Sequence, residues 1–184
     1  MDGPSDEDLM LRVAAGEQAA FHQLAQRYAP RAIGLARRIT RSDADAEDIV
    51  QEALLRVWVN APRWRPVAAF RTWFYRVVVN LCLNRQRRTP FLALNRAGAV
   101  RDPALNPSEQ LERNETAQQL AAAIDGLPER QRVAVTLTYG EGLSNAETAA
   151  IIGTSVSGVE TLLVRARRSL REKFGAVLDG DTEG

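Results

Sequence analysis

The chain has one cysteine, one histidine and, among its 24 basic residues, one lysine, Lys173. A lone Cys82 excludes a disulfide framework or a cysteine metal cluster within the chain and suits a reducing compartment. A lone His22, with no glycine-rich phosphate loop and no metal-ligand spacing elsewhere, gives catalysis nothing to stand on, and no cofactor is expected. His22 sits beside Phe21 on an amphipathic segment and reads as a surface or packing residue. No apolar run reaches the roughly 18 residues of a membrane span, and Met1 to Asp8 is acidic, so the expectation is a cytoplasmic chain with no membrane insertion. The near-total use of arginine for positive charge fits the planar bidentate fork that phosphates favour, and a GC-rich genome accounts for it equally well.

What is present is a segregation of charge. The net charge is only +1, yet residues 53 to 101 carry ten arginines and no aspartate or glutamate, while residues 1 to 52 carry ten acids against six arginines. Solubility gives no reason to strip carboxylates from so long a stretch, whereas a polyanionic partner does, and nucleic acid is the first candidate. A second basic cluster, Arg165, Arg167, Arg168 and Arg171, lies between Glu160 and Glu172 with no acid inside it. Two separate basic sites are implied.

Helix signals dominate. Ser5-x-x-Asp8 opens one helix, Gly16 separates it from a second carrying Phe21, Leu24, Ala25 and Tyr28, and Ser42-x-x-Asp45 opens a third that ends before Pro62 and Pro66. In that third helix Val50, Leu54, Val57 and Trp58 share an apolar face, while Asp45, Asp48 and Glu52 share a polar one suited to a basic helical partner; a plain solvated acidic face has the same pattern. Phe70 to Arg88 contains the β-branched run Val77-Val78-Val79. Its length, its freedom from Gly and Pro and the ladder Arg76, Asn80, Asn84 predict helix, with Trp73, Val77, Leu81, Phe74 and Val78 inward. Periodicity collapses from Thr89 to about Arg113, through Pro90, Gly98, Pro103 and Pro107, which reads as a linker. Helices are then expected around Glu115 to Asp125 and from Leu127-Pro128 through Val133, Leu137 and Tyr139.

Gly140-Glu141-Gly142 breaks the chain before Ser144-x-x-Glu147, a capping box for a short helix ending near Ile152; Gly153 supplies a tight turn and Ser155 caps a further helix to about Lys173. A small residue at Ala149, a turn glycine at Gly153 and a branched anchor at Val159 have the spacing of a helix-turn-helix. A plain helical hairpin has the same caps. The stripe Arg165, Arg168, Arg171 favours DNA, because a solvated charged face usually mixes signs.

At this point the sequence resembles the bacterial RNA polymerase sigma factors of the extracytoplasmic-function group, over roughly residues 6 to 174. Asp45-Ala46-Glu47-Asp48-Ile49-Val50-Gln51-Glu52 is similar to the family's core-polymerase-binding segment. Phe70-Arg71-Thr72-Trp73-Phe74-Tyr75-Arg76 through Asn80-Leu81 is similar to its minus-ten segment. Leu127-Pro128-Glu129-Arg130-Gln131-Arg132, the helix-turn-helix and Val164-Arg165-Ala166-Arg167 are similar to its minus-thirty-five domain. The resemblance implies an all-α fold: a region-2 domain over 1–88, an extended linker over 89–114, a region-4 domain over 115–174 and a tail over 175–184. It implies a non-enzymatic subunit that directs core RNA polymerase to promoters and assists strand opening to initiate transcription of a stress or envelope response regulon. The partners implied are core polymerase, promoter DNA and an anti-sigma factor, with the chain a monomer within holoenzyme.

The implied sites follow. Asp45, Asp48, Gln51 and Glu52 would dock the polymerase. Trp64, Arg65, Arg71, Arg76, Asn80, Asn84, Arg87 and Arg88 would meet the minus-ten element; Trp64, in a Pro-flanked loop among arginines, is a better stacking candidate than Trp73 or Phe74, which read as core. Ser144, Ser155, Ser157, Glu160, Thr161, Val164, Arg165 and Arg168 would meet the minus-thirty-five element. Glu160 and Leu162 depart from the family habit of basic residues at those places, so a borrowed promoter consensus is not expected to hold.

Two rivals explain less. A dimeric repressor or activator accounts for the helix-turn-helix and leaves the acid-free arginine stretch and the acidic face unexplained. A recombinase needs a nucleophile among arginines, for which Ser42 and Tyr75 have no specific support.

Overall fold

The computed structural model describes residues 3–67, 69–88 and 118–180. The linker assigned from sequence to 89–114, the side chain of Arg88 and the end of the tail lie outside the described residues. Among those described, every regular element is helical.

The chain enters α1 (Asp6–Ala14), whose N-cap Ser5 accepts a hydrogen bond from the Asp8 amide. Gly16, at φ +87°, turns it into α2 (Gln18–Thr40). Ser42 caps α3 (Asp43–Asn60) through the Asp45 amide, and a 3-10 turn, Ala61–Arg63, carries Pro62 out of the helix. Next comes α4 (Phe70–Arg88), so the β-branched triplet is overruled by its context: Val78 and Val79 are fully buried on one helical face. The free amide of Phe70 at its start donates to Glu7 Oε1 of α1 at 3.0 Å, so a distant carboxylate satisfies an orphan donor of the helix.

These four helices share a core of Leu9, Met10, Leu24, Leu35, Ile39, Ile49, Val57, Phe70, Phe74 and Tyr75. Tyr28 of α2 ties α1 and α4 together. Its ring stands edge-on to Phe70 and Phe74 at 5.2 and 5.5 Å, and its hydroxyl donates to Asp6, which also pairs with Arg27. Trp73 and Val77, expected inward, are only half-buried.

The second half comprises α5 (118–125), α6 (Glu129–Val135), a wider π-type turn (Thr136–Gly140), α7 (Asn145–Ile152) and α8 (Val156–Gly180). The turn is closed by the Glu141 amide donating to the Thr136 carbonyl at 3.0 Å. Leu127, Ala134, Val135, Ala149, Val159, Leu163 and Ala166 form its core. The opposite face does not point to solvent: Val133, Leu137, Leu143 and Ile151 pack into the core of the first four helices. The two halves are therefore in contact, α7 lying against α4 and α6 against α2.

Candidate nucleic-acid interface

Three polar surfaces stand on this scaffold. On α4, Arg76, Asn80, Asn84 and Arg87 are exposed in one stripe, because the apolar positions between them are consumed by the core. Arg65, on the preceding loop, is exposed and turns one guanidinium nitrogen to the Trp64 carbonyl at 3.1 Å. Trp64 itself is half-buried against the core rather than free-standing. Arg71 lies off the stripe and donates to the Glu141 backbone carbonyl of the second half. Trp73 tilts against Phe70 at 5.9 Å, and Phe74 is fully buried, as packing residues are.

The second surface is α8 with its turn. Ser144 and Glu147 cap α7 reciprocally: the serine oxygen accepts from the Glu147 amide, and Glu147 Oε2 accepts from the Ser144 amide at 2.8 Å. Those hydrogen bonds hold the Glu147 carboxyl below its ordinary range. Gly153 sits at φ +73° as the turn demands, α7 and α8 meet at 98°, and Ser155 caps α8 through the Gly158 amide. Ser144 and Ser155 thus spend their hydroxyls on capping. Ser157, Glu160, Thr161, Val164, Arg165 and Arg168 share the outer face, with Val164 61% exposed, an apolar side chain amid polar ones. Arg168 also reaches Glu172 at 3.6 Å. Arg167, part of the second basic cluster but outside the implied minus-thirty-five set, donates to the Tyr139 hydroxyl at 2.7 Å, and Tyr139 is well exposed beside α8.

The third surface is the outer face of α3. Asp45, Asp48, Gln51 and Glu52 follow one another along it, but the carboxylates are not bare. Arg85 of α4 lies 3.5 Å from Asp45 and 3.6 Å from Asp48, and Arg56 pairs with Glu52 at 2.6 Å. The stripe continues in two residues that the charge pattern did not reveal, Leu55 and Val59, which are 60% and 64% exposed. Their four-residue spacing from Gln51 was the available signal. Beside them an open groove lined by Gln18, Phe21, His22, Ala25 and Trp58 holds the exposed His22, with Phe21 and Trp58 edge-on at 5.3 Å.

The remaining reactive groups have structural duties. Ser42 is a helix cap, and Tyr75 is buried with its hydroxyl on Glu141, so neither is presented as a nucleophile. Burial pushes the Cys82 thiol up to about 12. No single helix among the described residues is long and apolar enough to cross a membrane.

Comparison with known proteins supplies the context. The family model for sigma-70 region 2 matches residues 24–90, and that for sigma-70 region 4 matches residues 117–170. The chain is 34% identical over 176 residues to the ECF RNA polymerase sigma factor SigM of Mycobacterium tuberculosis, covering 96% of this chain and 88% of that one. It is 33% identical over 180 residues to the ECF RNA polymerase sigma-E factor of Escherichia coli K12, covering 92% and 94%. Among solved structures, CnrH in complex with the cytosolic domain of CnrY superposes with a TM-score of 0.71 at 29% identity, over 97% of this chain and 99% of that one. The sigma factor RpoE of Bartonella quintana, in complex with the anti-sigma factor NepR, shares the fold with a TM-score of 0.65 at 22% identity, over 84% and 96%.

Proposed function

The chain belongs to the sigma-70 family, in its extracytoplasmic-function group, and from that premise we propose how its surfaces divide the labour of promoter selection. It is a promoter-specificity subunit of RNA polymerase and not an enzyme. The finer reading is that α3 docks the polymerase, α4 meets the minus-ten element and α8 meets the minus-thirty-five element. One observation carries it: each matched region presents an outward helix face of polar, DNA-compatible side chains backed by a hydrophobic core.

On α3, Asp48, Gln51 and Glu52 supply charge complementarity to a basic helical partner, and Leu55 and Val59, next along the stripe, supply apolar area. On α8, Glu160 accepts from a cytosine amino group, Val164 meets a thymine methyl and Arg165 pairs with guanine or phosphate. On α4, the arginines neutralise phosphates while Asn80 and Asn84 pair with exposed base edges.

Strand opening follows from energy balance. Unstacking a base costs a few kcal/mol, and capture by stacking or hydrogen bonding returns about 1–3 kcal/mol per base, so the exchange is nearly neutral and polymerase contacts must tip it. We read the regulated genes as a stress or envelope response, the chain as cytoplasmic and monomeric within holoenzyme, and its inhibitor as an anti-sigma protein, as NepR is for the solved relative from Bartonella quintana.

Permanganate footprinting of holoenzyme on a cognate promoter tests the opening step. Reactive thymines about the minus-ten element, lost in an Asn80→Ala/Asn84→Ala variant that still binds polymerase, are expected. Unchanged reactivity in that variant removes α4 from strand capture.

A further inference from the structure

Tyr139 is a large aromatic residue that the core does not use. It stands on the π-type turn Thr136–Gly140, two residues beyond the fully buried Leu137, yet it is 58% exposed. The turn accounts for this. Its closure, from the Glu141 amide to the Thr136 carbonyl, takes in one more residue than an α-helical turn does, so the chain after Leu137 leaves the helical face that carries Val133 and Leu137 into the core. Outside the core Tyr139 meets Arg167, whose guanidinium donates to its hydroxyl at 2.7 Å. Arg167 is exposed as well, and among the described residues no carboxylate pairs with it, although its neighbour Arg168 has Glu172. Neither burial nor an ion pair explains these two side chains.

Their chemistry points to an oxyanion. The Tyr139 hydroxyl accepts from Arg167, which leaves its own proton to donate, and the guanidinium keeps further N–H groups beyond the one engaged. Two donors backed by a full positive charge therefore share one small exposed patch. Its place beside α8 narrows the choice. Arg167 follows Glu160 by seven residues, about two helical turns, so it borders the outer face on the side of Glu160, and Tyr139 lies off the helix altogether. A helix seated in a major groove about 12 Å wide turns the middle of its outer face to base edges and its flanks to the phosphate walls. We propose that Tyr139 and Arg167 are a clasp for one backbone phosphate of the minus-thirty-five duplex, fixing how α8 is seated without reading a base, a role that rests on the reading of α8 as the minus-thirty-five helix.

Holoenzyme made with the full chain is titrated, over a series of salt concentrations, onto the promoter that the parent selects from a randomised library and onto single-base variants of its minus-thirty-five element. Arg167→Ala is expected to weaken binding about tenfold, the size of one charge-assisted hydrogen bond. The factor should be the same on every base variant, and the slope of log affinity against log salt should fall by about one. Tyr139→Phe, which keeps the ring and removes the hydroxyl, is expected to weaken binding about threefold with the slope unchanged. The double variant should lose less than the product of the two factors, because hydroxyl and guanidinium share one phosphate. A neutral methylphosphonate placed at successive positions along both strands then locates that phosphate: at one position it should weaken the parent and leave Arg167→Ala unaffected. Unchanged affinity and slope in both variants, or an altered base preference in either, overturns the clasp. If the parent holoenzyme selects no promoter, the sigma reading fails, and the same variants are then titrated onto the duplex that the chain binds alone, where the same outcomes decide the clasp; a chain that binds no duplex has none.

Discussion

Arg85 lies 3.6 Å from Asp48, linking the acid-free helix α4 to the acidic face of α3. The side chains are 40% and 66% exposed, so solvent screens the pair and its share of stability is small, about 0–1 kcal/mol. Asp48→Ala is accordingly expected to leave the thermal midpoint within a few degrees of the parent while weakening core-polymerase binding about tenfold, the size of one lost interfacial charge contact of about 1.4 kcal/mol. Thermal melts and a polymerase titration at two salt concentrations check both halves. Unaltered affinity would remove Asp48 from the docking face.

Glu160 is exposed on the outer face of α8, and on the proposed reading its negative charge would lie close to phosphates. Glu160→Ala is expected to relax or shift selectivity at one minus-thirty-five position by about 1–3 kcal/mol and to leave polymerase binding intact. Selection from a randomised promoter library by holoenzyme reads this directly. An unchanged base preference takes Glu160 out of the reading set.

At Gly153 an added Cβ meets nothing within 4 Å, so the cost of a side chain there is backbone strain alone at φ +73°. Gly153→Ala is expected to destabilise the chain by about 1–2 kcal/mol, and Gly153→Asn by less, because asparagine tolerates the left-handed region better. Urea unfolding of the three proteins measures the ranking. Equal midpoints would mean that the turn relaxes at no cost.

Cys82 is fully buried, and its thiol is raised from 9.0 to about 12. The native state holds the proton more tightly than the unfolded chain, so this contribution to stability is complete below about pH 9 and is lost as pH rises towards 12. In the native protein at pH 8 the thiol is expected to resist alkylation, and it should react at an ordinary rate in urea. Rapid native labelling would contradict the burial.

Much of this architecture is written in local signals. Ser5, Ser42 and Ser144 each announce a helix start that needs only a neighbouring amide, and Gly16 and Gly153 mark turns that need only positive φ. The arginine and asparagine ladder of α4 and the mixed outer face of α8 were readable for the same reason, since helical spacing alone brings those residues together. What escaped were relationships between distant segments. Glu7 capping α4, Arg85 answering Asp45 and Asp48, and Arg132 reaching Ile39 depend on how helices pack, which no local pattern encodes. The alternation of faces on α6 and α7 was legible only in part. Val135 and Ala149 serve their own core while Val133 and Ile151 serve the other, and sequence shows both sets as hydrophobic without saying that they have different partners. Trp64 is a similar case: its loop is irregular, yet its ring leans on the core, which the loop's composition does not show.

Specific transcription in vitro tests the central claim most directly. Core RNA polymerase is incubated with a library of genomic fragments, with and without the chain, and the transcript starts are mapped. The account predicts discrete new starts, dependent on the chain, that share two upstream elements, with the upstream preference changed by Glu160→Ala. If no specific starts appear and the chain alone binds duplex DNA at defined sites, the promoter-specificity reading is contradicted and a conventional repressor or activator replaces it.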